Sequence, residues 1–196
     1  DKKGSVYEGG IRVPGIVQWP RAWKNPQVLD LPISGVDVLP TFCHVAGVVP
    51  PQTLELDGAS FIGALGGRPI RRNKPLYWQF HGARGEDQVA GIDGNWKIVG
   101  QFEGGSLPPH GDIFAEHQRR IRDAKIMRYQ LFDLREDEVA DVRRENPDVA
   151  QQMISNMQRT FLSVQADNPS WPAWEWPRKE GMQIRAYVES LKSKQE

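Results

Sequence analysis

The chain has little or none of several features that mark common classes of protein. Its only cysteine is Cys43, so no internal disulfide and no site built from several thiolates can form. No apolar run approaches the roughly 20 residues that a membrane-spanning helix needs. Lysine plus arginine and aspartate plus glutamate are balanced at 25 each, which gives no general attraction to nucleic acid or to an anionic membrane. We therefore expect neither as a partner.

The chain also lacks an initiator methionine and a charged-then-apolar leader. We therefore expect its 196 residues to be part of a longer polypeptide. A signal peptide of that polypeptide is not observable in this chain. Hydrophobic residues make up 39% and charged residues 26% of the chain, which is typical of a globular domain with a core of its own.

The first 70 residues predict a few short elements joined by loops. The apolar run from Val13 to Trp19, bounded by prolines, predicts a buried strand. Ser34 and Asp37 have the spacing of a helix cap, and the helix that follows should end at Gly47. A second short helix is expected from Ser60 to Leu65.

From residue 76 onward the pattern predicts a sheet. Strands are expected at 76–80, 88–92, 96–99 and 129–134, with a hairpin turn at residues 93–95, where an Asp-Gly pair stands. A long connection between the third and fourth strands contains a basic run at 119–122.

A helix that opens at Pro147 repeats apolar residues every four positions, at Val149, Met153, Met157 and Phe161. This face should cover one side of the sheet. Another helix is expected at 181–194.

The opening residues carry a family resemblance. Residues 3–15 read K-G-S-V-Y-E-G-G-I-R-V-P-G, which resembles a stretch of the formylglycine-dependent (type I) sulfatases of the alkaline phosphatase superfamily. Further motifs of that family follow in the same order: S-x-x-D-x-x-P-T at 34–41, L-D-G-x-S at 56–60, W-x-F at 78–80, G-x-W-K at 94–97 and L-x-D-L at 131–134. Each motif alone is weak, but their common order is specific. After residue 134 the chain departs from the family's D-P-x-E-x-x-N pattern.

The resemblance implies an α/β fold class, namely the C-terminal part of an alkaline-phosphatase-like sulfatase fold that ends in a small four-stranded antiparallel sheet packed by a helix. Residues 1–70 would be the end of the catalytic α/β domain, and residues 71–196 a C-terminal subdomain with a Trp/Pro-rich tail. The whole protein would hydrolyse sulfate esters, of sulfated sugars or aryl sulfates, in a periplasmic, extracellular or lysosomal-type compartment. The family's calcium ion and formylglycine would be supplied upstream, and this chain alone would be inactive.

By the same resemblance, Lys3 matches the lysine that reaches the sulfate, where a compact ammonium with three donors suits charged oxygens. Glu8, Gly9, Gly10 and Arg12 belong to the same motif and are assigned structural roles. The two glycines would permit backbone angles closed to other residues, and Glu8 would pair with Arg12. From composition alone, Lys3 is better interpreted as a solvated lysine at a frayed end of the chain, and only the motif that follows favours the sulfate-binding role.

The other chemistry-bearing residues give weaker signals. His81 directly follows the W-x-F motif of residues 78–80 and is a candidate substrate contact. Cys43 is followed by neither the proline nor the arginine of the C-x-P-x-R nucleophile motif, so we interpret it as a core residue. The acidic residues between 133 and 141 lack EF-hand spacing and are interpreted as a solvated turn. No metal ligands are predicted in this chain.

Two further functions remain open from the sequence. One is a phosphodiesterase or phosphonate hydrolase of the same superfamily. The other is a non-catalytic module that binds glycans through Trp171, Trp174 and Trp176, although these rings could instead attach the tail to its own domain.

Overall fold

The structure of the chain is a computed structural model. The structure describes residues 3–51, 53–81, 87–104, 115–136, 138–167, 183 and 185–187. The predicted tail helix and the three tail tryptophans lie almost entirely outside these ranges.

A four-stranded antiparallel sheet organises the second half of the chain. Its strands are β1 (Leu76–Phe80), β2 (Gln88–Asp93), β3 (Trp96–Phe102) and β4 (Ile126–Asp133), and they lie side by side in chain order. All four strands were predicted, and β3 and β4 are longer than expected. The additional residues of β3 and β4 pair with each other as far as Gln101 and Arg128. The register then shifts between Gln101 and Phe102.

The predicted hairpin joins β2 to β3 through a two-residue turn at Gly94 and Asn95. Asp93 pairs with Trp96, and Gly94 has a φ of 58°. A side chain at this φ would be strained, and this explains glycine at the first turn position.

Helix α4 (Pro147–Asp167) covers one face of the sheet, as predicted from its apolar spacing. Its buried residues Met153, Met157 and Phe161 pack with Val89, Ile98 and Leu131 of the strands, and Ala150 and Phe102 complete this core. Gly91 lets the helix approach closely, because a Cβ there would lie 3.0 Å from the terminal methyl of Met157.

The opening motif covers the opposite face of the sheet. Val6 is buried with Ala90, Val99 and Phe132, and Tyr7 and Trp78 pack at the edge of this second cluster. The short helix α1 (Glu8–Ile11) follows at once. The sheet is therefore enclosed by α4 on one side and by residues 5–8 on the other.

In the first part of the chain, a buried carboxylate joins the loops of residues 32–72. Asp37 is fully buried, and its carboxylate accepts hydrogen bonds from the backbone N–H groups of Ser34 and Ala59 at 2.8 Å each. It also forms an ion pair with Arg72. It closes the predicted capping box in the 3₁₀ turn Gly35–Asp37, which leads into α2 (Val38–Ala46). Gly47 ends that helix in the left-handed conformation, as expected. The S-x-x-D and L-D-G-x-S motifs therefore meet through Asp37.

The remaining elements differ in part from expectation. The short helix predicted near residue 60 is a 3₁₀ helix, Ile62–Gly66. The long connection contains helix α3 (Ala115–Arg122), which carries the basic run. The strand predicted at 13–19 is wrong: these residues form no regular element, and Val13 and Ile16 are 78% and 93% exposed. No described strand pairs with this segment, so it has no sheet partner among the described residues.

The packing of α4 predicts that alanine substitutions at two neighbouring residues change the free energy of unfolding by very different amounts. Replacing Phe161, which is 5% exposed, by alanine should lower the free energy of unfolding by about 3–5 kcal/mol, since a large cavity would open against Phe102. The matched change Leu162→Ala, at a side chain that is 61% exposed, should alter it by less than about 0.5 kcal/mol. Urea unfolding measures both, and equal losses would contradict this packing.

Candidate functional site

The structure presents Lys3 as an exposed side chain at the end of a fixed segment. Gly4 next to it has a φ of 94°, which turns the backbone before Ser5 and Val6 enter the interior. No hydrogen bond or ion pair joins the Lys3 ammonium to another described residue.

Residues 6 and 7 are tied to three positions on the sheet. The Val6 N–H donates to Gln88 Oε1 at 3.4 Å, and the Tyr7 hydroxyl donates to Gln130 Oε1 at 2.5 Å. The Tyr7 ring meets Phe132 edge to face, with centroids 5.9 Å apart. These contacts span β2 to β4, so they set both the position and the direction of the segment that carries Lys3.

A buried ion-pair group, which we name the Lys97 cluster, fixes the next residue. It consists of Glu8, Lys97 and Glu138. The Lys97 Nζ is 2.9 Å from Glu8 Oε1 and 2.9 Å from Glu138 Oε1, and its side chain is fully buried. The Glu8 N–H also donates to Glu138 Oε2 at 2.6 Å. An ammonium this deep is tolerated only when it is paired, because its desolvation costs several kcal/mol.

The ion pair predicted between Glu8 and Arg12 is present but weaker. Their closest atoms are 3.8 Å apart, the Arg12 side chain is 65% exposed, and it also contacts exposed Asp30 at 3.2 Å. Exposed pairs of this kind contribute at most about 1 kcal/mol. Lys97, rather than Arg12, is the main partner of Glu8.

The reason given for the two glycines needs correction. Neither Gly9 nor Gly10 has a positive φ, since both lie in helix α1. Gly10 is required for a different reason: a Cβ would lie 2.1 Å from the Ser5 carbonyl oxygen.

Lys97 and Glu138 are not among the site residues predicted from the sequence. Lys97 stands in the quoted G-x-W-K motif, where its place opposite Phe132 on the buried face follows from the strand register. The acidic turn was interpreted as solvated, and this is wrong for Glu138 and Asp141. Glu138 joins the Lys97 cluster, and Asp141 accepts the Leu131 N–H at 3.0 Å.

His81 lies on the α4 side of the sheet, opposite the Lys3 segment. Its ring stacks on Phe102 with centroids 5.0 Å apart, and its side chain is 10% exposed. One ring nitrogen is 2.8 Å from Gln79 Nε2 and the other is 3.5 Å from Asp87 Oδ2. The structure does not bring His81 together with Lys3, and these contacts describe a packed histidine.

Burial lowers the pKa of His81 below its ordinary value. Asp87 opposes this shift, and Arg120, which lies 3.7 Å from Asp87, adds to it. The neutral ring is therefore favoured inside the fold.

The described part of the chain contains no group of three or more His, Cys, Asp or Glu side chains that could hold a metal ion. Cys43 lies half-buried on α2, without a proline or an arginine in the next four positions. These residues therefore fit neither a calcium site nor a formylglycine precursor. Within the described ranges, no helix is long and apolar enough to cross a membrane.

Comparison with known proteins identifies the family to which this arrangement belongs. The family model described as "N-sulphoglucosamine sulphohydrolase, C-terminal" matches residues 1–99, which include the Lys3 segment, Asp37 and Lys97. The chain therefore belongs to the sulfatase family and corresponds to its C-terminal portion.

Individual relatives agree with this assignment. Human (Homo sapiens) steryl-sulfatase is 36% identical over 78 residues, which are 40% of this chain and 13% of the relative. Arylsulfatase H of Canis lupus familiaris is 40% identical over 76 residues, 39% of this chain and 14% of the relative. Arylsulfatase K of Danio rerio is 28% identical over 158 residues, 77% of this chain and 26% of the relative. The chain thus spans about a quarter or less of these proteins.

The buried histidine predicts a pH dependence of stability. As the pH falls through about 6.5, the unfolded chain takes up a proton that folded His81 resists, so the free energy of unfolding should decrease. This loss, measured by urea unfolding between about pH 7 and about pH 5.5, should be smaller in His81→Gln. The control His44→Gln, at an exposed histidine, should keep the full loss. Identical losses in all three proteins would exclude the contribution of His81.

Proposed function

We propose that this chain is the part of a sulfatase that supplies a sulfate-binding lysine, Lys3, to an active site completed by the rest of the polypeptide. The observation that carries the proposal is the contrast along one short segment. Ser5 and Val6 are buried, Tyr7 and Glu8 are half-buried, and the segment is hydrogen-bonded and ion-paired on the sheet, while the side chain of Lys3, two positions before Ser5, is exposed. A fixed backbone that presents a solvated ammonium is suited to binding an anion.

The chemistry of a sulfate ester explains why such a group is useful. Cleavage of the S–O bond increases negative charge on the sulfate oxygens and on the departing alkoxide. A cation that is already in position stabilises this charge without the reorganisation that water would require. Lys3 would donate hydrogen bonds to the sulfate oxygens, and these bonds would strengthen as negative charge increases on the oxygens during the reaction.

The nucleophile and the metal would come from elsewhere in the protein. The family's calcium would supply charge neutralisation at the sulfate when bound, and its formylglycine would be the modified nucleophile. Neither fits the described residues of this chain. Under this proposal, residues 1–70 end the catalytic domain and residues 71–196 form the subdomain that carries the sheet.

Exposed apolar side chains support the presence of a further polypeptide surface. Several lie between residues 13 and 49, among them Val13, Ile16, Val28, Phe42 and Val49. Exposed apolar groups in this number mark an interaction surface. We assign its occupant to the remaining sulfatase polypeptide, because the chain spans only a small share of its relatives' lengths.

The substrate would be a sulfated small molecule or glycan, and the compartment periplasmic, extracellular or lysosomal in type. His81 stays a candidate substrate contact from the sequence alone. A phosphodiesterase or phosphonate hydrolase remains the alternative enzyme, and no described feature favours a glycan-binding module.

Replacement of Lys3 tests the proposal directly. In the full-length sulfatase, Lys3→Ala should lower kcat on an aryl sulfate by about 100-fold or more, the scale for loss of one charge-stabilising donor. The control Lys125→Ala, at an exposed lysine outside residues 13–49, should leave kcat unchanged. If Lys3→Ala retains normal kinetics, Lys3 does not bind the reacting sulfate.

The chain expressed alone should hydrolyse no aryl sulfate and should bind a hydrophobic dye before urea unfolds it, because its apolar side chains lack their covering. Substituting Ile16 and Phe42 by serine should reduce the dye fluorescence. Measurable turnover, or a cooperative transition without dye binding, would contradict the need for further polypeptide.

A further inference from the structure

The proposed role of Lys3 leaves open what holds its segment in place. The Lys3 ammonium makes no hydrogen bond or ion pair with another described residue, and Lys3 and Glu8 are five positions apart in the chain. An extended run of that length spans up to roughly 17 Å. The position of the ammonium is therefore set by the contacts of residues 5–8 with the sheet, and not by Lys3 itself.

Among those contacts, the Lys97 cluster supplies the ion pairs, beside the 2.5 Å hydrogen bond from Tyr7 to Gln130. The hydrogen bond from Val6 to Gln88 is 3.4 Å long, and a bond of that length is weak. By contrast, Glu8 is held by its side chain, through Lys97 Nζ at 2.9 Å, and by its backbone, through the 2.6 Å bond to Glu138. Charged pairs that are buried and hydrogen-bonded are the stronger kind.

The charges of the cluster make it depend on its single cation. Lys97 separates two carboxylates, and both lie 2.9 Å from the same nitrogen. Without the ammonium, Glu8 and Glu138 would face each other as like charges in a site of low water content. Glu8 is the more exposed of the two side chains, at 24% against 8% for Glu138, so it is the one with room to move outward together with α1.

We propose that Lys97 is a positioning residue for the sulfatase reaction: it anchors α1 through Glu8 and Glu138 and thereby fixes Lys3 where the sulfate binds. The inference rests on the proposed function of Lys3. It adds that a lysine buried in β3, which touches no substrate, sets the efficiency of a lysine at the surface.

The test uses the full-length sulfatase with Lys97→Met, which keeps most of the side-chain volume and removes the charge. We expect kcat on an aryl sulfate to fall by about tenfold or more, because a small misplacement of a catalytic group is costly. The matched control is Lys74→Met, which removes a lysine paired with Asp57 at the same 2.9 Å distance and with Glu55 at 3.1 Å, and whose ion pairs do not include α1. Its kcat should equal that of the parent protein.

A double substitution separates positioning from general loss of structure. If Lys97 acts through Lys3, adding Lys97→Met to Lys3→Ala should lower kcat by less than twofold further. Losses that multiply, or a Lys97→Met protein with kcat within twofold of the parent, would overturn the inference alone. Normal kinetics in Lys3→Ala would instead overturn the proposed function together with it.

Lys97→Met could also fail to fold, since it leaves two partly buried carboxylates unpaired. Glu8→Gln then carries the same test. Lys97 keeps Glu138 as its partner in that variant, while the charge that holds α1 is lost. We expect the same reduction of kcat and the same lack of further loss with Lys3→Ala. An unchanged kcat in Glu8→Gln would contradict the anchoring role.

Discussion

The ion pairs of the buried Lys97 ammonium connect the opening segment of the chain to the sheet that follows it almost ninety residues later. Lys97 is buried because β3 places it opposite Phe132, on the sheet face that Val6 and Tyr7 cover. A charge in that position requires compensation, which Glu8 and Glu138 supply from two distant parts of the chain. The segment that bears Lys3 is therefore attached by an electrostatic requirement as well as by apolar packing.

The sheet serves two purposes through its two faces. The face toward α4 is an apolar core, with His81 stacked at its margin. The opposite face alternates apolar residues with Gln88, Lys97 and Gln130, each of which binds the opening segment. Because side chains alternate along a strand, one sheet can carry a stabilising core and a positioning surface at once.

A second buried charge has a comparable role in the first part of the chain. Asp37 joins the loop before α2, the segment at residue 59 and Arg72, so residues 32–72 are held together by hydrogen bonds rather than by a large apolar core. This leaves many apolar side chains of residues 13–49 exposed. Polar links of this kind fix the shape of a surface while keeping its apolar groups available for a neighbouring polypeptide surface.

The sequence by itself determined what local patterns encode: the four strands, the Asp-Gly hairpin, the Ser34–Asp37 cap, the apolar face of α4 and, through its ordered motifs, the sulfatase family. It could not determine which residues meet across the chain. The pairing of Glu8 with Lys97 and Glu138, the burial of His81 on the far side of the sheet and the failure of residues 13–19 to form a strand were decided by tertiary structure. The physical reason is that a charge finds its partner, and a strand its neighbour, through contacts whose sequence separation leaves no periodic signal.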